Sequence, residues 1–250
     1  MATEISPQTT SPSAPETAVD SANGIPKTVP KPRLYLEPLT TEKHLEAFHE
    51  LWTYEETLIW FPFPVKKDVS ESREFLEKIL PNEENPDIEK FALMLFPTGS
   101  QAQGEGEGQK GEMVGFVGTN RYKEQGMEVG YVINRRYWGM GYATEGLRLF
   151  LDMYWELPQR KYINRLVGKT SPGNVASQNI LVKCGARKGE TLKDATERWV
   201  DGGRKSDLIC WFLDRPGLRE ENIGDGRMER EREARRVVLE RIEEGGKGSE

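Results

Sequence analysis

The chain has few of the side chains that most often bind metals, with only two cysteines and two histidines among its 250 residues. It contains neither a Cys-x-x-Cys nor a His-Glu-x-x-His spacing, so the sequence predicts no structural or catalytic zinc site. It also lacks a run of about 18 apolar residues, the length that spans a bilayer. Residues 1–30 lack the charged and apolar regions of a secretory signal. We therefore expect no metal, no membrane contact and a cytoplasmic location, with a nuclear location also open.

Positive charge is scarce relative to negative charge. The chain has 35 Lys and Arg against 41 Asp and Glu, which gives a net charge of -6. General nucleic-acid binding requires clustered Lys and Arg to neutralise phosphates, so no nucleic-acid partner is expected. A local basic site for a phosphate-bearing cofactor stays open. The sequence does not indicate the oligomeric state.

Three segments of biased composition divide the chain. Residues 1–32 are rich in Ser, Thr, Pro and Ala, residues 97–111 are rich in Gly, and residues 217–250 are mostly charged. Such segments bury too little apolar surface to offset the loss of chain entropy on folding. We predict a disordered tail, a flexible hairpin loop and a charged C-terminal tail, in that order, with a solvated helix over 229–243. A single domain at 33–216 remains.

Apolar periodicity within 33–216 predicts a mixed α/β (α+β) domain of order β-α-α-β-β-β-α-β-α-β-β. Thr40 and Asp68 are predicted N-caps of the first two helices. The segment 59–65 contains two prolines and is predicted to be a loop. The later helices are predicted at 142–155 and 175–183, and the strands at 33–37, 91–96, 113–121, 127–133, 162–169, 187–193 and 208–213.

The most informative stretch is a glycine pair between a strand and an amphipathic helix. Gly139 and Gly141 would let the backbone approach a ligand, and the following helix would offer free N–H groups to a pyrophosphate. Arg136 adds positive charge. A dinucleotide fingerprint does not fit, because Thr144 occupies its third glycine position, and no Gly-Lys-Ser/Thr follows as in a P-loop. A tight turn without a ligand is the remaining structural alternative.

The pattern Arg136-x-x-Gly139-x-Gly141-x-Ala143 resembles the coenzyme A motif of GNAT acetyltransferases. The wider run YWGMGYATEGL is similar to the RimJ/RimL-like branch, which comprises ribosomal-protein N-terminal acetyltransferases. Further matches occur in the same order as in the family and extend the resemblance over about 33–213. They are Glu128-x-Gly130-Tyr131, Asn174-x-x-Ser177 followed by Lys183-Cys184-Gly185, and a closing hairpin after Trp199.

This resemblance implies a GNAT acyl-CoA N-acyltransferase fold, with a mixed central sheet that is splayed at the cofactor site and flanked by helices. It also implies acetyl-CoA as cosubstrate, with loop N–H groups on the pyrophosphate and strand main-chain groups on the pantetheine arm. Asn174 has a second interpretation as the N-cap of the helix at 175–183. The implied cofactor-binding residues are Tyr131, Val132, Ile133, Arg136, Trp138, Gly139, Met140, Gly141, Tyr142, Ala143, Asn174 and Ser177.

The resemblance leaves the acid–base chemistry partly open. Many family members use a tyrosine seven residues after the Asn as general acid, and that position is Leu181 here. Protonation of the leaving thiolate then falls to Ser177, to water or to no group at all. Glu128 is the candidate general base, because strand alternation places it on one face with Gly130 and Val132. A salt bridge, for example to Arg121, is the structural alternative.

The implied reaction is direct transfer of acetyl from acetyl-CoA to an amine. The acceptor is either a protein N-terminus or a small-molecule amine, and a non-catalytic acyl-CoA-binding module is a third reading. Aromatic residues between Trp52 and Phe63 either form the acceptor entrance or pack in the core. His44 and His49 are expected to be plain surface residues.

Overall fold

The computed structural model describes residues 32–83, 85–97, 111–217 and Arg236. The predictions made for 1–32, 97–111 and 217–250, including the helix over 229–243, lie almost entirely outside the described residues. The mixed α/β architecture predicted between them is confirmed.

In the described part of the chain, seven strands form one sheet in the order β1-β2-β3-β4-β5-β7-β6. Neighbouring strands pair antiparallel, except that β4 and β5 run parallel. The strands are β1 Leu34–Pro38, β2 Lys90–Leu95, β3 Met113–Lys123, β4 Gly126–Ile133, β5 Arg165–Thr170, β6 Arg187–Glu197 and β7 Lys205–Asp214. The helices are α1 Thr41–Leu51, α2 Glu55–Leu58, α3 Val69–Ile79, α4 Tyr142–Glu156 and α5 Val175–Lys183.

Each face of the sheet carries its own apolar core. Val129 and Ile133 of β4 pack with α4 and α5 on one face. Val132, next to them in sequence, packs with α1 and α3 on the other. This confirms the predicted alternation along β4, which follows from the two-residue period of a strand. The helix starts are also confirmed, because Thr40, Asp68 and Asn174 each accept a hydrogen bond from the backbone N–H three residues later.

The structure differs from the predicted elements at β5, α2, β6 and β7. β5 begins at Arg165 rather than 162, because the backbone is still turning there and the N–H of Ile163 donates to the carbonyl of Arg160. α2 was not predicted, since one helical turn is too short to show a period. β6 and β7 are longer than predicted. Most residues of β6 are exposed, so it has no apolar alternation to mark its ends.

The parallel pair at the centre of the sheet is short. β4 and β5 pair only at Met127 with Leu166 and at Glu128 with Val167. Beyond Glu128 the two strands diverge, so 129–133 of β4 has no strand partner on that side among the described residues. The predicted splay in the sheet is thereby confirmed.

Candidate active site

The glycine loop joins the splayed end of β4 to α4. Gly139 and Gly141 have φ angles of +77° and +81°, a region that side chains rarely adopt. A Cβ at Gly139 would have no protein atom within 4 Å, and one at Gly141 would have only the Arg33 guanidinium, at 3.5 Å. The turn thus requires glycine for its conformation, and it also leaves open space in front of the backbone.

α4 begins directly after this loop, and no side chain caps its N-terminus. The N–H groups of Tyr142, Ala143 and Thr144 therefore have no partner in the helix, and they lie at the positive end of a 15-residue helix. Open space before free N–H groups suits a pyrophosphate. The side chains of Trp138 and Met140, in the same loop, are about half exposed to solvent.

Two arginines lie near this loop. Arg136, predicted to add charge at the site, is bound to Glu50 of α1 at 2.8 Å. Arg33 was not predicted. Its guanidinium donates to the carbonyl of Met140 at 3.0 Å, stacks on the Tyr142 ring at 4.5 Å and pairs with Glu145 at 2.7 Å. It precedes β1 and carries no sequence signal for a loop more than a hundred residues away.

The first turn of α5 faces β4 across the splay. The hydroxyl of Tyr131 lies 2.8 Å from Ser177 Oγ, and either group can be the donor. Burial raises the pKa of Tyr131, so its phenol stays protonated. Asn174 Oδ1 accepts from the N–H of Ser177 at 3.1 Å, which confirms the N-cap. Ser177 therefore lies beside β4, and Asn174 caps the helix that carries it.

Leu181 occupies the position of the missing tyrosine. Its side chain is 2% exposed and packs over Gly168 of β5, where a Cβ would come within 2.8 Å of it. It is a core residue that separates α5 from β5. Near α5 the described site carries the hydroxyl pair of Tyr131 and Ser177, instead of a tyrosine at position 181.

Glu128 forms a salt bridge with Lys169 of β5, with Nζ and Oε1 2.6 Å apart. The predicted alternative partner, Arg121, was wrong. Glu128 pairs in register with Val167, so Lys169, two residues further along β5, projects from the same face. The carboxylate is 19% exposed and borders the cavity described below.

The aromatic segment divides between core and cavity. Trp52 is 1% exposed and packs against Phe48 and Phe75 as a core residue does, and it also borders the cavity. Trp60 and Phe61 line the cavity. The prediction that His44 is a surface residue was wrong, because its side chain is only 1% exposed. It lies on the buried side of α1 with Leu45, Phe48 and Leu51, and its Nδ1 accepts a hydrogen bond from the N–H of Thr40.

Trp199, in the hairpin between β6 and β7, closes this side of the site. Its indole N–H donates to the carbonyl of Leu58 at 2.9 Å, and its backbone N–H donates to the carbonyl of Phe61 at 3.2 Å. These bonds fix the loop that presents Trp60 and Phe61.

The sequence did not predict a buried lysine, Lys90, on the face of the sheet that carries Val132. Lys90, the first residue of β2, is 5% exposed, and its Nζ donates to Asn120 Oδ1 at 2.5 Å. Burial lowers the pKa of Lys90 to about 7. A charged residue at the start of a strand is normally exposed, so nothing in the sequence indicated that Lys90 is buried.

One cavity of about 890 Å³ joins these parts across the splay. Residues from both faces of the sheet line it, including Lys90 and Phe116 on the α1 and α3 side and Ile180 on the α5 side. Arg136 and Met140 are the two predicted cofactor residues that do not line it. Glu128 also lines the cavity, and so do the other predicted cofactor residues, which are Tyr131, Val132, Ile133, Trp138, Gly139, Gly141, Tyr142, Ala143, Asn174 and Ser177.

Residues 33–187 match the family profile of the GNAT acetyltransferase domain. Because this match covers more than half of the chain, the protein belongs to that family, and it is an acetyl-CoA-dependent acyltransferase. The resemblance noted in the sequence is confirmed.

Relatives agree with this assignment. An uncharacterised N-acetyltransferase, p20, from Bacillus licheniformis is 23% identical over 186 residues, which is 72% of this chain and 94% of that protein. The RimL ribosomal-protein alpha-N-acetyltransferase in complex with coenzyme A is 18% identical with a TM-score of 0.58, covering 73% of this chain and 94% of that one. Spermidine N-acetyltransferase from Vibrio cholerae, in complex with coenzyme A and spermine, is 16% identical with a TM-score of 0.55, covering 73% and 96%. The two solved structures support the fold.

No described helix has the length and apolar character needed to cross a membrane. Within the same residues, no group of three or more His, Cys, Asp or Glu side chains is arranged to hold a metal ion.

Proposed function

We propose that this protein transfers acetyl from acetyl-CoA to the N-terminal amine of a protein or peptide by direct attack, and that residues 33–216 form the catalytic domain. The observation that carries this proposal is the continuous cavity of about 890 Å³, which passes through the splay between β4 and β5. A thioester reaching in from the glycine loop and an amine reaching in from the aromatic side would meet there. Holding the two reacting groups in this way can raise the rate as much as an effective reactant concentration of about 10⁵ M or more.

The loop and β4 would hold the cosubstrate. N–H groups from Gly139 to Tyr142 would bind the pyrophosphate, since the predicted N–H of Trp138 is taken by the carbonyl of Arg135 at 3.2 Å. Main-chain groups of β4 that β5 leaves unpaired would bind the pantetheine arm. An N–H of the Val132–Ile133 strand would polarise the thioester carbonyl. These roles match the open space at the two glycines and the uncapped start of α4.

Two side chains would move the protons. Glu128 would take a proton from the acceptor ammonium, directly or through water, so that the neutral amine attacks. Ser177 would give a proton to the departing thiolate. Tyr131, whose hydroxyl lies 2.8 Å from Ser177 Oγ, would orient the Ser177 hydroxyl, and water would return a proton to Ser177.

A peptide acceptor is favoured by donors left unpaired on the aromatic side. The indole N–H of Trp52 and the hydroxyl of Thr57 are buried without a hydrogen-bond partner among the described residues, and both residues line the cavity. Buried donors usually have partners, and a peptide carbonyl oxygen would supply one. RimL acts on a protein N-terminus by its description, whereas the spermidine enzyme acts on a polyamine. A small amine is therefore the second candidate, and a non-catalytic acyl-CoA-binding module the third.

Acetyl-CoA is expected to raise the melting temperature of the purified protein. A ligand that binds only the folded state at 100 times its Kd stabilises it by about 2.7 kcal/mol. For a domain of this size that corresponds to roughly 5–10 °C. ATP and NAD share the phosphates and adenine but lack the pantetheine arm, so differential scanning fluorimetry should show much smaller shifts for them. Equal shifts with ATP would contradict the coenzyme A site.

Peptide amines are expected to consume the thioester faster than polyamines do. The assay follows release of the coenzyme A thiol with a panel of peptides, spermidine and small aromatic amines, and mass spectrometry locates the acetyl group. N-terminal acetylation of a peptide supports the proposal. Turnover of spermidine alone would make the second candidate correct, and acetyl-CoA binding without turnover of any acceptor would indicate the binding module.

A further inference from the structure

Lys90 lies at the end of a short polar path that leads to β4. Its register partner on β3 is Gly118, whose own partner on β4 is Gly130. A Cβ at Gly118 would come within 2.8 Å of Lys90 Cδ, so the lysine stem crosses β3 over that glycine. The ammonium donates to Asn120 Oδ1. The Nδ2 of the same amide lies over Gly130, 3.4 Å from where a Cβ of that residue would be. The path therefore runs from Lys90 to the strand that is proposed to hold the thioester.

The positive charge of Lys90 is not balanced by a neighbouring carboxylate. Among the described residues no acidic side chain forms a salt bridge with it; its Nζ donates to the neutral amide of Asn120 and lies 5.9 Å from the centre of the Phe116 ring. Immediately before its strand, Glu89 is held by Arg160 at 2.8 Å. On β4, Glu128 is held by Lys169. The charged residues at the end of α3, Glu77 and Lys78, are exposed, as are Arg121 and Lys123 of β3.

A buried lysine without a charged partner costs folding energy, which is reflected in the lowered pKa of Lys90. Such groups in clefts are found at functional sites more often than elsewhere. An anion placed beside Lys90 would restore the missing partner, with the Asn120 amide as a second donor. A polyamine would instead bring further positive charge to the same place.

We propose that Lys90 selects an acceptor whose amine stands close to a carboxylate, as in a polypeptide with an acidic first or second residue. This inference rests on the proposed acetyltransferase function and narrows its acceptor class. The strand spacing places the backbone of Lys90 two strands from that of Gly130, about 10 Å away, and the stem that crosses β3 brings the ammonium nearer to β4. A side chain on the first or second residue of an extended acceptor spans such a separation, while its amine stays near β4.

Paired acceptor peptides test the inference. The pairs begin Asp-Ser against Asn-Ser, and Ser-Glu against Ser-Gln, with the same sequence following. We expect the acidic member of at least one pair to have a kcat/KM higher by on the order of tenfold at pH 6.5, as for hydrogen bonds to charged groups. Lys90→Met should abolish this preference, and Lys123→Met, at an exposed lysine of β3 outside the cavity, should preserve it. An acetyl-CoA-induced thermal shift in each variant verifies folding.

The pH dependence of the preference gives a second readout. With a pKa of about 7, Lys90 is charged below neutrality and largely neutral at pH 8.5. The acidic-to-neutral kcat/KM ratio should fall as pH rises through 7, and taking the ratio cancels the deprotonation of the acceptor amine. Lys90→Arg, which stays charged, should keep the preference and lose its pH dependence.

The possible outcomes separate the two proposals. Equal use of both members of each pair by the wild type, or a preference that persists in Lys90→Met, overturns the role of Lys90 while the peptide acetyltransferase stands. Turnover of free aspartate or glutamate but of no peptide, lost in Lys90→Met, supports the role of Lys90 and overturns the protein acceptor. Turnover of spermidine alone overturns both.

Discussion

Gly141→Val is expected to weaken acetyl-CoA binding by about a hundredfold or more, because the loop would lose charge-assisted hydrogen bonds worth about 1.5–3 kcal/mol each. The valine branch would enter the space in front of the free N–H groups of α4. It would also have to adopt a φ angle of +81°. That strain is of order 1–3 kcal/mol, so the free energy of unfolding should fall as well. Gly139→Val should show the same two losses. Isothermal titration with acetyl-CoA measures the affinity of both variants.

Gly217→Val is the matched control for these two variants. Gly217 has a φ angle of +80° and open space around its Cβ position, but it follows β7 and does not line the cavity. It should show the loss of stability without the loss of affinity. If the loop variants bind acetyl-CoA as well as the Gly217 variant does, Gly139 and Gly141 form a plain turn and the pyrophosphate lies elsewhere.

Glu128→Gln is expected to lower kcat by roughly a hundredfold at neutral pH, the scale of general-base catalysis. The amide keeps the shape of the carboxylate but cannot accept the proton of the acceptor ammonium. Activity should recover in part at high pH, where more of the acceptor amine is already neutral. Acetyl-CoA affinity should not change. Steady-state kinetics from pH 6 to 10 and titration with acetyl-CoA test these expectations.

Two further variants separate proton transfer from the loss of an ion pair. Lys169→Met breaks the same 2.6 Å pair and leaves the carboxylate in place. It should therefore retain far more activity than Glu128→Gln. Asp207→Asn removes a carboxylate from another 2.6 Å pair, with Lys193 on the β6–β7 hairpin, and should have little effect. Equal losses in the Glu128 and Lys169 variants would assign Glu128 a structural role, and full activity of Glu128→Gln across pH would leave catalysis to positioning.

Features encoded in neighbouring residues could be predicted from the sequence. α5 begins and ends where predicted, because Asn174 supplies the cap and Gly185, with a φ angle of +85°, ends the helix. The glycine loop is equally local, since its residues form one motif between a strand and a helix. The alternation along β4 follows from the geometry of a single strand.

Features that depend on distant partners could not be predicted. Arg33 reaches the loop only because β1 and α4 pack together, and Lys169 meets Glu128 only through the register of β4 and β5. Lys90 is buried because β3 and the cavity walls enclose it, and a lysine in a sequence normally indicates solvent. Each of these contacts joins residues at least forty positions apart except Lys90–Asn120, which spans thirty.

The position of β7 has a consequence for synthesis on the ribosome. A chain emerges from its N-terminus at about 5–20 residues per second. β1 to β5 and the glycine loop are therefore complete before β7, which pairs with β5, has been made. Until then β5 is an open sheet edge, which invites pairing with other chains. We expect a nascent chain arrested before Lys205 to require a chaperone, although it already contains every residue proposed here to hold coenzyme A.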